Sequence, residues 1–146
     1  MSVMKRKILI SINSEHVQNI IAGIKKYEYR KVAAKQDISS LIIYETTPVK
    51  RIVAEAEIVD VLELSPEELW EQTKSEAGIS KAFFDRYFSN RTVAFAYKLG
   101  EIKIYDKENK YNEKETLAVL EKQKLLIDEF RRWIWDDEDR RWLVEE

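Results

Sequence analysis

Short apolar runs at residues 7–12 and 41–44, each bounded by polar stretches, read as buried strands. Between them Val17, Ile20, Ile21 and Ile24 recur at i, i+3, i+4 and i+7, which predicts an amphipathic helix over residues 14–23. Asn13-Ser14 supplies its N-cap, and Gly23, with no Cβ to clash, suits a left-handed C-terminal position. The chain should resume as a strand near residues 26–32, run through a polar connection at 33–37, and turn at Thr46-Thr47-Pro48 after the second apolar run. Residues 51–61 alternate Ile52, Ala54, Ala56 and Ile58 against Arg51, Val53, Glu55 and Glu57, a strand with one solvated face.

Ser65-Pro66-Glu67-Glu68 is a capping box with proline in the first helical position, so a helix starts there and Gly78 ends it. Ser80 caps a second short helix carrying the i,i+4 pairs Phe83/Tyr87 and Phe84/Phe88. Residues 92–99 and 102–105 suggest a hairpin across Gly100-Glu101. Beyond a polar linker at 106–113, residues 116–135 read as one long helix, with Val119, Leu126, Ile127, Phe130, Trp133 and Ile134 on one face. That stripe is expected to dock on its own domain, with a partner surface as the lesser alternative. Strands interleaved with helices, without steady alternation, indicate an α+β fold.

A chain of 146 residues fits one domain with a real core. It has no cysteine, which removes disulfides, thiolate catalysis and Cys-ligated zinc. No secretory signal or bilayer-length apolar run is visible, so a cytoplasmic location with no membrane partner is expected. With a single histidine, His16, the usual zinc set cannot be built; it reads as a surface or half-buried residue, and neither a metal nor a cofactor is expected. Three glycines leave no glycine-rich phosphate loop.

The net charge of −2 is unevenly spread. Residues 1–51 hold 10 Lys and Arg against 4 Asp and Glu, and residues 52–146 hold 15 against 23. This suggests a confined basic patch, of the kind that meets nucleic acid, while ordinary mixing of surface charge, the commoner reading of charge clusters alone, would give the same imbalance. Its focus is Lys25-Lys26-Tyr27-Glu28-Tyr29-Arg30-Lys31, delivered beside the end of the first helix. On a strand Lys26, Glu28 and Arg30 share one side, Tyr27 and Tyr29 the other. Arg30 suits phosphate or base stacking, Lys25 a point charge on phosphate, and Glu28 an acceptor for a base amino group. Tyr27, Tyr29, Tyr44 and Phe88 are candidates for stacking on an unpaired base. A solvated strand face with ordinary ion pairs would carry the same residue types.

The pattern Gly-x-Lys-x-x-Glu-x-Arg at Gly23, Lys25, Glu28 and Arg30 resembles the signature of the ASCH domain, a PUA-like β-barrel family. The stretches Ile8-Leu9-Ile10-Ser11-Ile12, Ile43-Tyr44-Glu45-Thr46-Thr47-Pro48-Val49-Lys50 and Glu76-Ala77-Gly78-Ile79-Ser80, followed by Tyr87-Phe88, are similar in the same order. The resemblance covers residues 7–106 and implies a PUA-like barrel with flanking helices, leaving residues 107–146 as a linker and a C-terminal helix packed on the domain. It also implies a cleft between the first helix, the strand of Lys25, Lys26, Glu28 and Arg30, and the turn carrying Thr46 and Thr47. That cleft would bind RNA or a nucleotide-like ligand, in a chain expected to be monomeric. Some ASCH-like proteins are amidohydrolases of acylated cytidine that use Lys, a nucleophilic Thr and Glu. Those positions fall on Lys25, Glu28 and Glu76. A carboxylate is a poor nucleophile toward amides, so deacylation by Glu28 is disfavoured, and a hydrolase acting through water or on an RNA phosphodiester is the enzymatic alternative. A third reading is a protein-interaction module working through the Trp-rich C-terminal helix.

Overall fold

A computed structural model of the chain describes residues 6–33, 38–105, Ala118, 132–136 and 141–145. The apolar opening forms strand β1 (Arg6–Ile12), and Asn13 then caps helix α1 (Ser14–Ile21) by accepting the His16 N–H at 3.1 Å. Gly23 follows with φ +78, and the N–H groups of Ile24 and Lys25 both bond the Asn19 carbonyl, so the chain turns sharply into strand β2 (Tyr27–Arg30). Strands β3 (Ile38–Glu45) and β4 (Arg51–Leu64) are joined by a turn in which the Thr46 carbonyl accepts from the Val49 N–H at 3.1 Å. Ser65 caps α2 (Pro66–Thr73) through the Glu68 N–H, a 3-10 turn (Lys74–Glu76) follows, and Ser80 caps α3 (Lys81–Tyr87) through the Phe83 N–H. The chain closes with β5 (Ala94–Ile104), β6 (Arg132–Asp136) and β7 (Arg141–Glu145).

The strands make one sheet in the order β2-β5-β4-β3-β1-β6-β7, curled into a half-barrel. Among the described strands only β1 and β3 pair in parallel, with α1 and β2 in the crossover between them; the other pairings are antiparallel. Among the described residues two apolar clusters pack against it. Ile8, Ile10, Ile12, Val17, Ile20, Leu41, Ile43 and Val53 pack under α1. Tyr27, Tyr29, Leu69, Phe84, Phe88 and Ala96 pack where α2 and α3 cover β2 and β5. Among the described residues no helix is long and apolar enough to cross a membrane.

Three sequence expectations change. The hairpin across Gly100-Glu101 is not formed: β5 runs straight through, because the long β4 offers it a partner along its whole length. Ala56 opposes Ile102 and Ile58 opposes Leu99, so one extra residue is accommodated on β5 near Gly100, where a bulge, not a turn, uses the glycine. A Cβ there would collide with the Glu57 carboxylate and lie 2.7 Å from Val59 Cγ2. The long helix does not reach Trp135: residues 132–136 are β6, with Ile134 opposite Ile8 of β1 and Trp135 opposite Trp142 of β7. The alternating aromatic and β-branched positions Trp133, Ile134 and Trp135 satisfy a strand as well as a helical stripe, and pairing with β1 decides between them. The third change is on β4: Val53 is buried, not solvated, since both faces of β4 are covered at its start. Most of the expected linker, the rest of the C-terminal helix apart from helical Ala118, and residues 34–37 of the polar connection lie outside the described residues.

Candidate functional site

Where the two clusters meet, a cleft of about 170 Å³ opens between the end of β1, the first turn of α1, β2 and α3. Its floor is built by the turn after α1. Lys25, 3% exposed, is clamped by the 76–78 segment: the Lys26 N–H donates to the Glu76 carbonyl at 2.9 Å, and Lys25 Nζ donates to the Ala77 carbonyl at 3.3 Å. The same Nζ stands 4.8 Å from the Tyr29 ring centroid. Gly78, at φ +66, lets that segment lie directly against the Lys25 backbone. Burial pulls the Lys25 ammonium below its ordinary value; Glu28 opposes this and Arg30 adds to it.

Glu28, 6% exposed, and Arg30 face the cleft from β2. Arg30 Nη2 reaches across to donate to the Ser11 carbonyl on β1 at 3.0 Å, while its Nε stays 3.6 Å from Glu28 Oε1, too long for a good hydrogen bond. His16 comes from α1, its ring edge-on to Phe83 at 5.4 Å. Phe83 and Tyr87 stack with an interplanar angle of 8° and form the α3 wall, and Lys31 Nζ lies 5.1 Å from the Tyr87 centroid. Burial pushes the Tyr29 phenol up to about 12, against the opposing hydrogen bond to Thr73, so it stays neutral and donates to Thr73 Oγ1 at 2.7 Å.

Among the described residues one feature separates this cleft from the rest of the surface. Glu28 Oε2, Arg30 Nε and His16 Nδ1 are buried with no hydrogen-bond partner among the described residues, and all three line it. An unpaired buried polar atom costs about 1–3 kcal/mol, so three in one place make this cleft the candidate for a group that would complete them. A larger hollow of about 360 Å³ beside Lys7, Ser40 and Glu55 lacks this property. Burial there raises the Glu55 carboxyl, but bonds from Tyr105, Ser40 and Lys7 outweigh it and hold the group below its ordinary value, fully satisfied.

The cleft therefore gathers Lys25, Glu28 and Arg30 from the expected set. It does not gather Lys26 or Glu76, whose side chains are 53% and 44% exposed and form a 3.0 Å ion pair with each other. Thr46 and Thr47 are also outside its lining, although the Thr46 N–H donates to the carbonyl of Ile12, which does line it. Of Lys25, Glu28 and Glu76, the positions that the resemblance matched to the acylcytidine amidohydrolases, the cleft lining includes Lys25 and Glu28 and leaves out Glu76. Of the expected stacking residues, Tyr27, Tyr44 and Phe88 are core, and only Tyr29 borders the cleft. Sequence reasoning did not place Ser11, Asn13, His16, Ile79, Phe83 or Tyr87 there. The one available signal was the helical phase of α3: with Phe84 and Phe88 inward, Phe83 and Tyr87 must flank the buried face. Among the described residues, no group of three or more His, Asp or Glu side chains is placed to hold a metal ion.

The chain is similar to an ASCH domain-containing ribonuclease of Zymomonas mobilis, 28% identical over 96 residues, which are 65% of this chain and 65% of that protein. It is also 28% identical over 106 residues to an ATP synthase subunit alpha of Ureaplasma parvum, 72% of this chain but 13% of that protein, so it spans only part of either relative's length. Crystal structures of ASCH from Zymomonas mobilis share its fold. One, a tyrosine-to-phenylalanine mutant, has TM-score 0.63 at 21% identity, covering 80% of this chain and 99% of that one. Another has TM-score 0.62 at 22% identity, covering 78% and 94%. The half-barrel is thus the PUA-like α+β fold. The family model for the ASCH domain matches residues 10–127, a span that holds every residue of the cleft and runs past position 106, and this chain belongs to the ASCH domain family.

Proposed function

We propose that the chain is an RNA-binding module, with an unpaired nucleotide entering the cleft of Lys25, Glu28 and Arg30. The observation that carries this reading is the trio of unpaired buried atoms in one cleft: an acceptor at Glu28 Oε2, a donor at Arg30 Nε and an imidazole nitrogen at His16. The Watson–Crick edge of every nucleobase presents both donors and acceptors, so it can complete such a set, and phosphate alone cannot satisfy a carboxylate. Two cations against one carboxylate leave the cleft net positive, and Lys31 places a further cation at the ring of Tyr87, which lines it. The Phe83–Tyr87 wall offers the aromatic surface on which an unpaired base stacks. The ribonuclease among the relatives supports RNA as the polymer.

Arg30→Ala should weaken binding of a short single-stranded RNA about tenfold at low salt, the loss of one charge-assisted hydrogen bond. Lys25→Met keeps the aliphatic stem against Gly78 and removes the charge together with the Nζ bond to the Ala77 carbonyl. In both variants the deficit should shrink as ionic strength rises, because phosphate contacts are the salt-sensitive part of the affinity. Fluorescence anisotropy at two salt concentrations, with a duplex of the same sequence alongside, measures this. A wild-type protein with no affinity for single strands at low salt would sink the reading.

The enzymatic alternative is RNA phosphodiester cleavage, favoured over deacylation by where the groups lie. Glu76 is absent from the cleft, whereas His16, which the acylcytidine enzymes' triad does not include, is present.

A further inference from the structure

Strand β2 and helix α3 end beside each other, and a cation follows each end. β2 stops at Arg30, so strand alternation no longer directs Lys31, whose Nζ comes to 5.1 Å from the Tyr87 ring centroid. α3 stops at Tyr87. Asn90 then takes φ 62 and the Arg91 N–H donates to the Phe88 carbonyl at 3.0 Å, a tight turn that keeps Arg91 near the helix end. Both residues are felt at the Tyr87 phenol. Burial raises that group, Arg30 lowers it, Glu28 raises it, and a hydrogen bond with the Lys31 backbone and the Arg91 charge lower it again. The ring itself is fixed, edge-on to Phe88 at 4.8 Å and stacked with Phe83.

Tyr87 lines the cleft, whereas Lys31 and Arg91 are exposed and outside its lining. Three cations thus act on one tyrosine, Arg30 within the cleft and the other two beyond it. At the opposite ends of the same two elements the charge is neutralised: Lys26 pairs with Glu76 at 3.0 Å and Lys81 with Asp85 at 2.8 Å. Lys31 and Arg91 form no ion pair among the described residues. The end of α3 favours one cation near its last carbonyls, but that does not account for the second, which comes from the strand.

We propose that Lys31, Tyr87 and Arg91 form a second subsite that holds the phosphate of a neighbouring nucleotide. The ligand is then a single strand of two or more nucleotides, not a free nucleotide or nucleoside. This rests on the RNA-binding reading and deepens it. A base seated in the cleft leaves the adjoining phosphate outside, and an aromatic edge flanked by cations is how a groove tracks a single-stranded backbone. Arg91 suits the phosphate as a fork of donors and Lys31 as a point charge.

The test displaces a labelled short single-stranded RNA from the full chain with competitors of increasing length. These are the four nucleoside 5′-monophosphates, then mixed-sequence strands of two, three and six nucleotides. Affinity should rise about tenfold or more from the monophosphates to the three-nucleotide strands, and little thereafter. In the double variant Lys31→Gln, Arg91→Gln that gain should fall to about threefold or less, and each substitution should lower the salt slope by about 0.7. Lys81→Gln removes the same charge from α3 outside the subsite and should keep the full gain. The charge-keeping pair Lys31→Arg, Arg91→Lys should keep most of it, which separates lost charge from a disturbed turn. A wild-type affinity that does not rise with length, a gain that survives the double glutamine variant, or an equal loss in Lys81→Gln would each overturn the subsite and leave RNA binding standing. Failure of the wild type to bind the labelled strand at low salt would overturn both.

Discussion

Replacing Gly78 with alanine should lower stability by about 3 kcal/mol and abolish RNA binding in whatever remains folded. Two effects add. At φ +66 an L side chain costs roughly 1–2 kcal/mol. The new Cβ would also collide with Lys25 Cβ and lie 2.7 Å from Lys25 Cα. A backbone atom cannot rotate away as a side-chain tip can, and forced overpacking costs typically about 1–3 kcal/mol. The only relief is for the 76–78 segment to lift off, which breaks the Lys26–Glu76 backbone bond and the Lys25–Ala77 bond that fix the cleft floor. Gly23→Ala is the matched control. It has φ +78 but open space around its Cβ position, so it should lose only the conformational part. Urea denaturation of both variants separates the two effects, and equal losses would show that the crowding at Gly78 is not felt.

This crowding also explains why stretches far apart in the chain resemble one family signature. Gly23-x-Lys25 and Glu76-Ala77-Gly78 are two sides of one contact: the first delivers the lysine at a helix end, and the second closes over it with a residue that has no Cβ. Local chemistry made each half legible. Asn13, Ser65 and Ser80 were readable as caps because a side-chain oxygen needs only its own helix; β1 and β3 were readable from short apolar runs and most of β4 from alternation. What depended on a distant partner was not readable. The glycine at position 100 serves a turn or a bulge equally well until β4 lies beside it, and Trp133-Ile134-Trp135 fits a helix or a strand until β1 offers an edge.

The site divides along the same line. Alternation on β2 correctly set Glu28 and Arg30 on one side, but it could not say that Lys26 lies beyond the strand end, where Glu76 captures it on the surface. Ser11, Asn13, His16, Phe83 and Tyr87 enter the cleft only through packing of β1, α1 and α3 around β2. A single histidine in a helix's first turn carries no signal until its neighbours in space are known.

Removing residues 107–146 should destabilise the remainder by about 2 kcal/mol or more, yet leave its affinity for RNA close to that of the full chain. The proposal is that residues 1–106 are the binding domain and that the following segment acts as its cover. β6 pairs antiparallel with β1 at Ile8, so truncation strips β1 of one neighbour and turns it into an open edge, with ladder bonds worth about 1 kcal/mol each lost and unpaired backbone exposed to self-pairing. The cleft draws on the other end of that strand, at Ser11 and Ile12, where β3 remains as partner through Ser11↔Tyr44 and Ile12↔Glu45 and where Arg30 still anchors to the Ser11 carbonyl. Stability and affinity should therefore separate. Denaturant unfolding and size-exclusion chromatography report the first, and anisotropy titration of the soluble monomer reports the second. If affinity falls in step with stability, the segment supports or contributes to the cleft and the division at position 106 is wrong. If a full-length dimer becomes a well-behaved monomer on truncation, the segment holds two copies together and the β1 edge is not what it protects.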